Sequence, residues 1–236
     1  MPKTNPNPIV VHHLEYSQSM RILWLMEELG APYELKIYKR DAKTNLAPDE
    51  YKAVSPLGTS PVITQGDVTL AESSAIIDYV LDQYAQDQQG SDRLRPKAGT
   101  PERVDYLFWF HASQGSFMPL LLIDVLHTIL RKRVPGLIRP LINGVLNKAD
   151  EAMLKPRMTR LIKKAESDLE RNTWFAGEAV TAADINMSYC MEAAESRGYI
   201  NDAHPNCKRW LEQMNASESF QAALAKDGTG SAIFRL

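Results

Sequence analysis

Apolar and polar positions follow two different rhythms along this chain, and the change of rhythm divides it. Ile9-Val-Val-His-His-Leu14 is short, apolar and β-branched, the pattern of a buried strand. From Ser19 to Leu29 the residues Ile22, Leu23, Leu25, Met26 and Leu29 recur with a helical period. Gly30 then supplies a helix stop and Pro32 forbids resumption. Tyr33-Glu-Leu-Lys-Ile-Tyr38 alternates with period two and reads as a second strand. A strand–helix–strand order implies a parallel pair with a right-handed crossover. A short helix is predicted near 48–53. Val62-Ile-Thr64 and Val68-Thr-Leu70 read as a hairpin about a turn at Gln65-Gly-Asp67. A third helix is predicted from Ser73 to Tyr84, with Ala75, Ile76, Ile77, Val80 and Leu81 inward.

The second half reads differently. Residues 86–100 carry no apolar period, and their Gln, Asp, Gly, Ser and Pro content marks a linker. Beyond it no strand is predicted. Helices are expected over about 102–131, 136–170, 182–197 and 205–225, with Gly115, Pro119, Pro135, Pro140 and Pro156 as breaks or kinks. The predicted fold class is an α/β N-terminal thioredoxin-like domain (βαβ-ββα) plus an all-α C-terminal domain. The boundaries are drawn at 1–87, 88–100 and 101–236.

Composition narrows the partners. The chain has 236 residues, with 27 Lys plus Arg against 29 Asp plus Glu, a net charge of −2. Such a balance offers no global attraction to nucleic acid or to an anionic membrane, so neither is expected as a partner. Only two cysteines occur, Cys190 and Cys207, with no CxxC and no zinc or iron–sulfur spacing. No metal is expected, and a reducing cytoplasmic setting is. The segment Met1-Pro-Lys-Thr-Asn-Pro-Asn-Pro8 lacks the apolar core of a secretory signal. The most apolar run, Leu120 to Leu130, contains Asp124 and His127 and falls short of the ~20 residues of a membrane span. It reads as a buried or interface helix, and no membrane insertion is expected.

Three short motifs carry candidate chemistry. Glu15-Tyr-Ser-Gln-Ser19 joins a strand to a helix N-terminus, where orphan N–H groups and the helix dipole favour an anion. A thiolate held there is stabilised, and with no cysteine nearby the thiol has to come from a ligand. Ser17 or Tyr16 can donate to it, although either Ser17 or Ser19 also suits an ordinary helix cap. Thr59-Ser60-Pro61-Val62 places a proline at the start of a strand. A cis bond there turns the Ser60 backbone outward to pair with an extended peptide, whereas a trans bond merely opens an edge strand. Glu72-Ser73 stands where a strand ends and a helix begins. Ser73 and the exposed N–H groups suit a carboxylate, and Glu72 suits an ammonium; the plain alternative is a cap with an acid in the first turn.

In that order and spacing, Ser17, the stretch Ser55-Pro-Leu-Gly-Thr-Ser-Pro61 and Glu72-Ser73 resemble the N-terminal domain of the cytosolic glutathione transferases. Phe175-Ala-Gly-Glu-Ala-Val-Thr181-Ala-Ala-Asp184 resembles that family's capping box and hydrophobic staple, a folding element in which Thr181 caps and Asp184 reaches back. The likeness extends over about 9–225. Tyr16 through Gly30 and the apolar stretch 116–145 resemble a bacterial and fungal serine-type subgroup with extended fourth and fifth helices.

The resemblance implies a glutathione S-transferase that joins the thiolate of glutathione, its co-substrate, to hydrophobic electrophiles in detoxification. It implies Ser17 as the activating hydroxyl, with Tyr16 as the rival. Ser60 pairs with the cysteinyl backbone, Pro61 is the cis-proline, and Glu72 and Ser73 hold the γ-glutamyl headgroup. Asn45 and Lys52 are candidates for the glycyl carboxylate. Tyr106, Phe110, His111 and Phe117 are candidates for the electrophile pocket, although aromatic residues at helical spacing are commonly core. Glu15 must point away from the sulfur, and Ser19 is assigned to the helix cap. A free thiol titrates near 8.5, and lowering it by about two units needs about 2.7 kcal/mol, the size of one charge-assisted hydrogen bond plus a helix N-terminus. The family's members are usually symmetric dimers, so a homodimer is implied. Glutathione-dependent peroxide or disulfide reduction, and a non-catalytic ligand-binding protein on the same fold, are the alternatives.

Overall fold

The structure, a computed structural model, describes residues 7–84 and 91–229. The sheet contains β1 (Ile9–Leu14), β2 (Tyr33–Tyr38), β3 (Val62–Gln65) and β4 (Val68–Ala71), in the order β2-β1-β3-β4. β1 runs parallel to β2 and antiparallel to β3, and β3 to β4 is a hairpin. The parallel pair is joined by α1 (Met20–Leu29), as the strand–helix–strand pattern predicts. Every residue from Met20 to Met26 is buried. A helix apolar on all sides needs cover on all sides, and α1 is packed between the sheet side and the helical half. Gly30 ends it in the left-handed conformation (φ 61°), its N–H returning to Glu27 and Met26. α2 spans Asp49–Val54, and α3 spans Ser73–Tyr84, the predicted bounds.

The helical half is built from α5 (Pro101–Ala112), α6 (Met118–Arg133), α7 (Arg139–Ala149), α8 (Lys155–Arg171), α9 (Ala182–Ser196), α10 (Pro205–Ala216) and α11 (Glu218–Asp227). Pro119 and Pro156 do not break their helices. Each is the second residue of its helix and follows a single π turn, Ser113–Phe117 or Asp150–Leu154. A proline ring collides with the carbonyl four residues back and lacks an N–H; the wider π turn moves that carbonyl aside, so the helix continues. The predicted helix over 205–225 is instead two helices, because Ser217 leaves the helical region and its hydroxyl accepts the Phe220 N–H (3.4 Å).

The linker is more ordered than its composition suggests. Ser91–Leu94 form a helical turn, α4, and Leu94 is fully buried. Arg95 reaches back to Asp78 (2.9 Å) and Asp82 (2.5 Å) on α3. Residues 88–90 of the predicted linker lie outside the described residues.

The two halves share one core. Asn186 on α9 donates to the Ser74 hydroxyl (2.9 Å) and to the Phe110 carbonyl (2.8 Å). Trp24 on α1 donates to Ser219 (3.0 Å), and α11 lies along α1. The capping box forms as the sequence indicates: the Thr181 N–H and hydroxyl both donate to Asp184 (2.9 and 2.8 Å).

Because the π turn fuses α5 and α6, residues Pro101–Arg133 form one helix that, by length and composition, could span a membrane. The helix expected over 102–131 is thus present, and its apolar character extends well beyond the 120–130 run, which alone is too short for a span. One side of this helix enters the core through Trp109, Phe110, Phe117 and Leu121. Asp124 on it pairs with Arg197 (2.5 Å) and Tyr199 (2.9 Å). The other side exposes Val104, Leu107, Phe108, Leu122, Leu126 and Leu130.

Candidate functional site

The turn from β1 into α1 is held by one arginine that the sequence reading passed over. Arg40, just after β2, donates to the Glu15 carbonyl (3.0 Å), the Tyr16 carbonyl (3.2 Å) and the Asn45 carbonyl (3.1 Å). Its own N–H is accepted by the Glu15 carboxylate (2.8 Å), so that acid is engaged at Arg40. Tyr16 sits at φ 52°, a conformation a bulky residue adopts only when its surroundings enforce it. That kink drops Ser17 into the interior at the tip of α1.

The Ser17 hydroxyl is buried and lies 2.6 Å from the Leu14 carbonyl, 2.7 Å from the Ser19 hydroxyl and 2.9 Å from the Ser60 hydroxyl. It also accepts the Ser19 N–H (3.2 Å). Ser19 is not the capping side chain expected of it. It occupies the N-cap position without a capping hydrogen bond, and its hydroxyl meets His13 Nδ1 (2.8 Å) instead. His13 Nε2 in turn meets Asp227 at the end of α11 (2.5 Å). Burial pushes the Asp227 carboxyl up, but hydrogen bonds from His13 and Thr229 outweigh it and hold it below the ordinary 3.8.

The Ser60–Pro61 bond is cis. The hairpin register pairs Val62 with Ala71, so one further step sets Pro61 opposite Glu72. Glu72 is exposed at φ 76°, and its carbonyl accepts the Ile76 N–H (2.9 Å) that opens α3. Ser73, beside it, is buried. Ser17, Ser60, Pro61, Glu72 and Ser73 therefore converge on the β1–β3–β4 end of the sheet. Asn45 and Lys52 do not join them by direct contact. Asn45 is exposed on the 41–46 loop, and Lys52 pairs with Asp49 (2.9 Å).

The four aromatic candidates do not form one wall. Tyr106 and Phe110 are buried and stacked on each other (5.3 Å, 15°), and Phe117 is fully buried in the core. His111 is exposed, edge-on to Phe110. The polar contact from this helix to the site is Gln114, which donates to the Gln18 side chain (2.8 Å), next to Ser17. Gln18 also accepts from the buried Arg21 (2.5 Å). Behind Arg21, burial pushes the Glu192 carboxyl up to about 7, with Glu195 adding and Arg21 opposing.

His13 and Asp227 were not singled out from sequence. His13 is one of two adjacent histidines in a strand, and Asp227 lies far along the chain with no motif around it.

The profile described as "Glutathione S-transferase, N-terminal domain" matches residues 11–88, and that for the "Glutathione S-transferase, C-terminal domain" matches residues 119–218. Glutathione S-transferase 3 of Schizosaccharomyces pombe is 32% identical, covering 92% of this chain and 87% of its own length. Glutathione S-transferase 1 of Saccharomyces cerevisiae is 29% identical over 93% and 95%. A crystal structure of a glutathione S-transferase from Actinobacillus pleuropneumoniae superposes with a TM-score of 0.73, at 34% identity over 94% of both chains. The thioredoxin-like sheet, the helical second half and these likenesses define one class, and the chain belongs to the glutathione S-transferase family. It is accordingly an enzyme, a glutathione S-transferase.

Proposed function

We propose that this transferase joins the sulfur of glutathione to hydrophobic electrophiles and that Ser17 holds the thiolate. The observation that carries this is the buried Ser17 hydroxyl at the tip of α1, 2.9 Å from the Ser60 hydroxyl beside the cis-proline. A thiol laid along that edge meets a hydroxyl donor and the positive end of a helix together. In this reading Ser60 and Pro61 align the cysteinyl backbone. Glu72 takes the γ-glutamyl ammonium, and Ser73 with the α3 N-terminus takes its carboxylate. Asn45 and Lys52 remain the candidates for the glycyl carboxylate, close to the Arg40-braced loop.

The rest of the reading follows from the same architecture. Residues 1–87 bind glutathione, 88–100 connect, and 101–236 supply the electrophile side, with Tyr106, Phe110, His111 and Phe117 supporting or edging that pocket. The exposed apolar residues of Pro101–Arg133 suit a second copy of the chain, giving a homodimer. A cytoplasmic detoxifying enzyme of the serine-type bacterial and fungal subgroup fits two buried free cysteines.

The test is kinetic. Ser17→Ala is expected to lower kcat/KM for conjugation about 100-fold, some 2.7 kcal/mol, while the protein is still retained on immobilised glutathione. Tyr16→Phe is expected to change it less than about threefold. The reverse order transfers the role to Tyr16.

A further inference from the structure

Five buried or half-buried polar side chains form an unbroken row from the end of α11 to the candidate site. Asp227 meets His13 at 2.5 Å, His13 meets Ser19 at 2.8 Å, Ser19 meets Ser17 at 2.7 Å, and Ser17 meets Ser60 at 2.9 Å. His13 and Ser19 are fully buried, and Asp227 is 2% exposed. Neither His13 nor Asp227 can touch a substrate. A helix cap does not account for the row either, since Ser19 makes no capping hydrogen bond.

The proton inventory of the row has two settings. An ionised Asp227 accepts only, so His13 carries a proton on Nε2. With a neutral ring, Nδ1 is bare and takes the Ser19 hydrogen. The Ser19 oxygen can then accept the Ser17 hydrogen, for which the Leu14 carbonyl (2.6 Å) is the competing acceptor. In this setting no hydrogen from Ser17 is aimed at a bound sulfur. With a charged ring, Nδ1 donates to Ser19 and Ser19 donates to Ser17, so the Ser17 hydrogen is left to the Leu14 carbonyl (2.6 Å) or to a bound sulfur that competes with it.

We propose that the row is a proton relay: the thiol of bound glutathione passes its proton through Ser17 and Ser19 to His13, whose charged ring is held by Asp227. The thiol S–H bond breaks and an O–H bond forms at Ser17. The former Ser17 hydrogen moves to Ser19, and the former Ser19 hydrogen moves to His13 Nδ1. No electron changes hands and the net charge of the complex is unchanged. The same transfer that makes the thiolate turns the Ser17 hydroxyl toward it as a donor. His13 and Asp227 act through Ser17 and are positioning residues, and the proposal rests on the reading that Ser17 faces the sulfur.

Asp227 is what makes a buried imidazolium tolerable, since a charge in the interior needs a partner. The other charged groups at this junction are already turned elsewhere: Lys226 on α11 pairs with Glu27 on α1 (2.6 Å), and Glu28 on α1 meets Ser219 and Arg93.

The experiment reads the His13 ring by nitrogen NMR of the full chain at neutral pH, assigned with His13→Asn. His13 is expected to be neutral in the free protein and charged when saturated with glutathione. It is expected to stay neutral with S-methylglutathione, which has no thiol proton to give, and with glutathione bound to Ser17→Ala. The same His13 charge with both ligands overturns the relay. If Ser17→Ala still raises the pH at which bound thiol ionises, the reading of Ser17 survives that failure; if it does not, both fall. As a second check, Asp227→Asn is expected to lower kcat about tenfold with little change in the KM for glutathione. That loss is expected to vanish in a Ser17→Ala background, and an equal loss in both backgrounds contradicts the relay.

Discussion

Asp184, at the start of α9, and Asp227, at the end of α11, are both buried carboxylates, and they differ in their donors. Asp184 accepts from the Phe175 N–H (2.8 Å), the Thr181 N–H (2.9 Å), the Thr181 hydroxyl (2.8 Å) and the Trp210 ring N–H (2.9 Å). None of these donors gives up its proton at neutral pH, so the arrangement is a fixed pin for the start of α9. Asp227 accepts from its neighbour Thr229 and from His13, and an imidazole gains or loses a proton near neutrality. The residue type is the same and both side chains are buried, but burial outweighs the donors at Asp184 and raises its carboxyl, whereas the donors outweigh burial at Asp227 and lower it. The chemistry of the donor decides whether a buried acid only holds the fold or also governs where a proton sits.

The largest effect that can break this comparison is at the pin. Asp184→Ala is expected to cost about 3–5 kcal/mol in urea unfolding, because four buried donors lose their acceptor at once. The folded fraction should keep its activity per molecule. A large activity loss without a stability loss reverses the assignment.

Acid pH sharpens the contrast at a smaller scale. The Asp227 carboxyl is held below its ordinary 3.8, so its contribution to stability is fully present above that pH. It is lost as pH falls through the lowered value in the folded state. Asp227→Asn is therefore expected to be less stable than the parent at neutral pH and to converge with it in acid, read by urea unfolding at paired pH values. A constant gap across the titration contradicts the assignment.

Glu192 has the opposite sign. Its carboxyl is raised from 4.5 to about 7 by burial, so the folded state favours the protonated acid, and stability falls as pH rises from 4.5 through about 7. Glu192→Gln is expected to flatten that fall and gain about 1 kcal/mol above neutrality, read by thermal or urea unfolding at paired pH values. An unchanged slope refutes it.

What could be read from sequence follows the range of the interaction. β1, β2 and α3 fall where the local pattern places them: β1 is a short, almost wholly buried apolar run, β2 alternates from Tyr33 to Lys36, and α3 buries Ile76, Ile77, Val80 and Leu81 at helical spacing. The Thr181–Asp184 box is equally local. The π turns before Pro119 and Pro156 were not legible, because proline announces a break and only tertiary packing shows that a widened turn absorbs it. The candidate site divides in the same way. Ser17, Ser60, Pro61, Glu72 and Ser73 announce themselves at strand and helix ends. Ser19 was misassigned to a cap because its real partner chain runs through His13 to a residue 214 positions farther on. Tyr106, Phe110 and Phe117 are aromatic at helical spacing, and the pattern alone does not separate a pocket wall from the core in which they are buried.

The claim on which the account turns is that the tip of α1 lowers the ionisation of a sulfur brought by the ligand. Its most direct measurement is the ultraviolet titration of the thiolate in the glutathione complex, for the parent and for Ser17→Ala. The bound thiol of the parent should ionise about two pH units below the free value of about 8.5, and that of Ser17→Ala should return most of the way toward it. Identical titrations in the two proteins, or a bound thiol that ionises no earlier than free glutathione, would contradict the account.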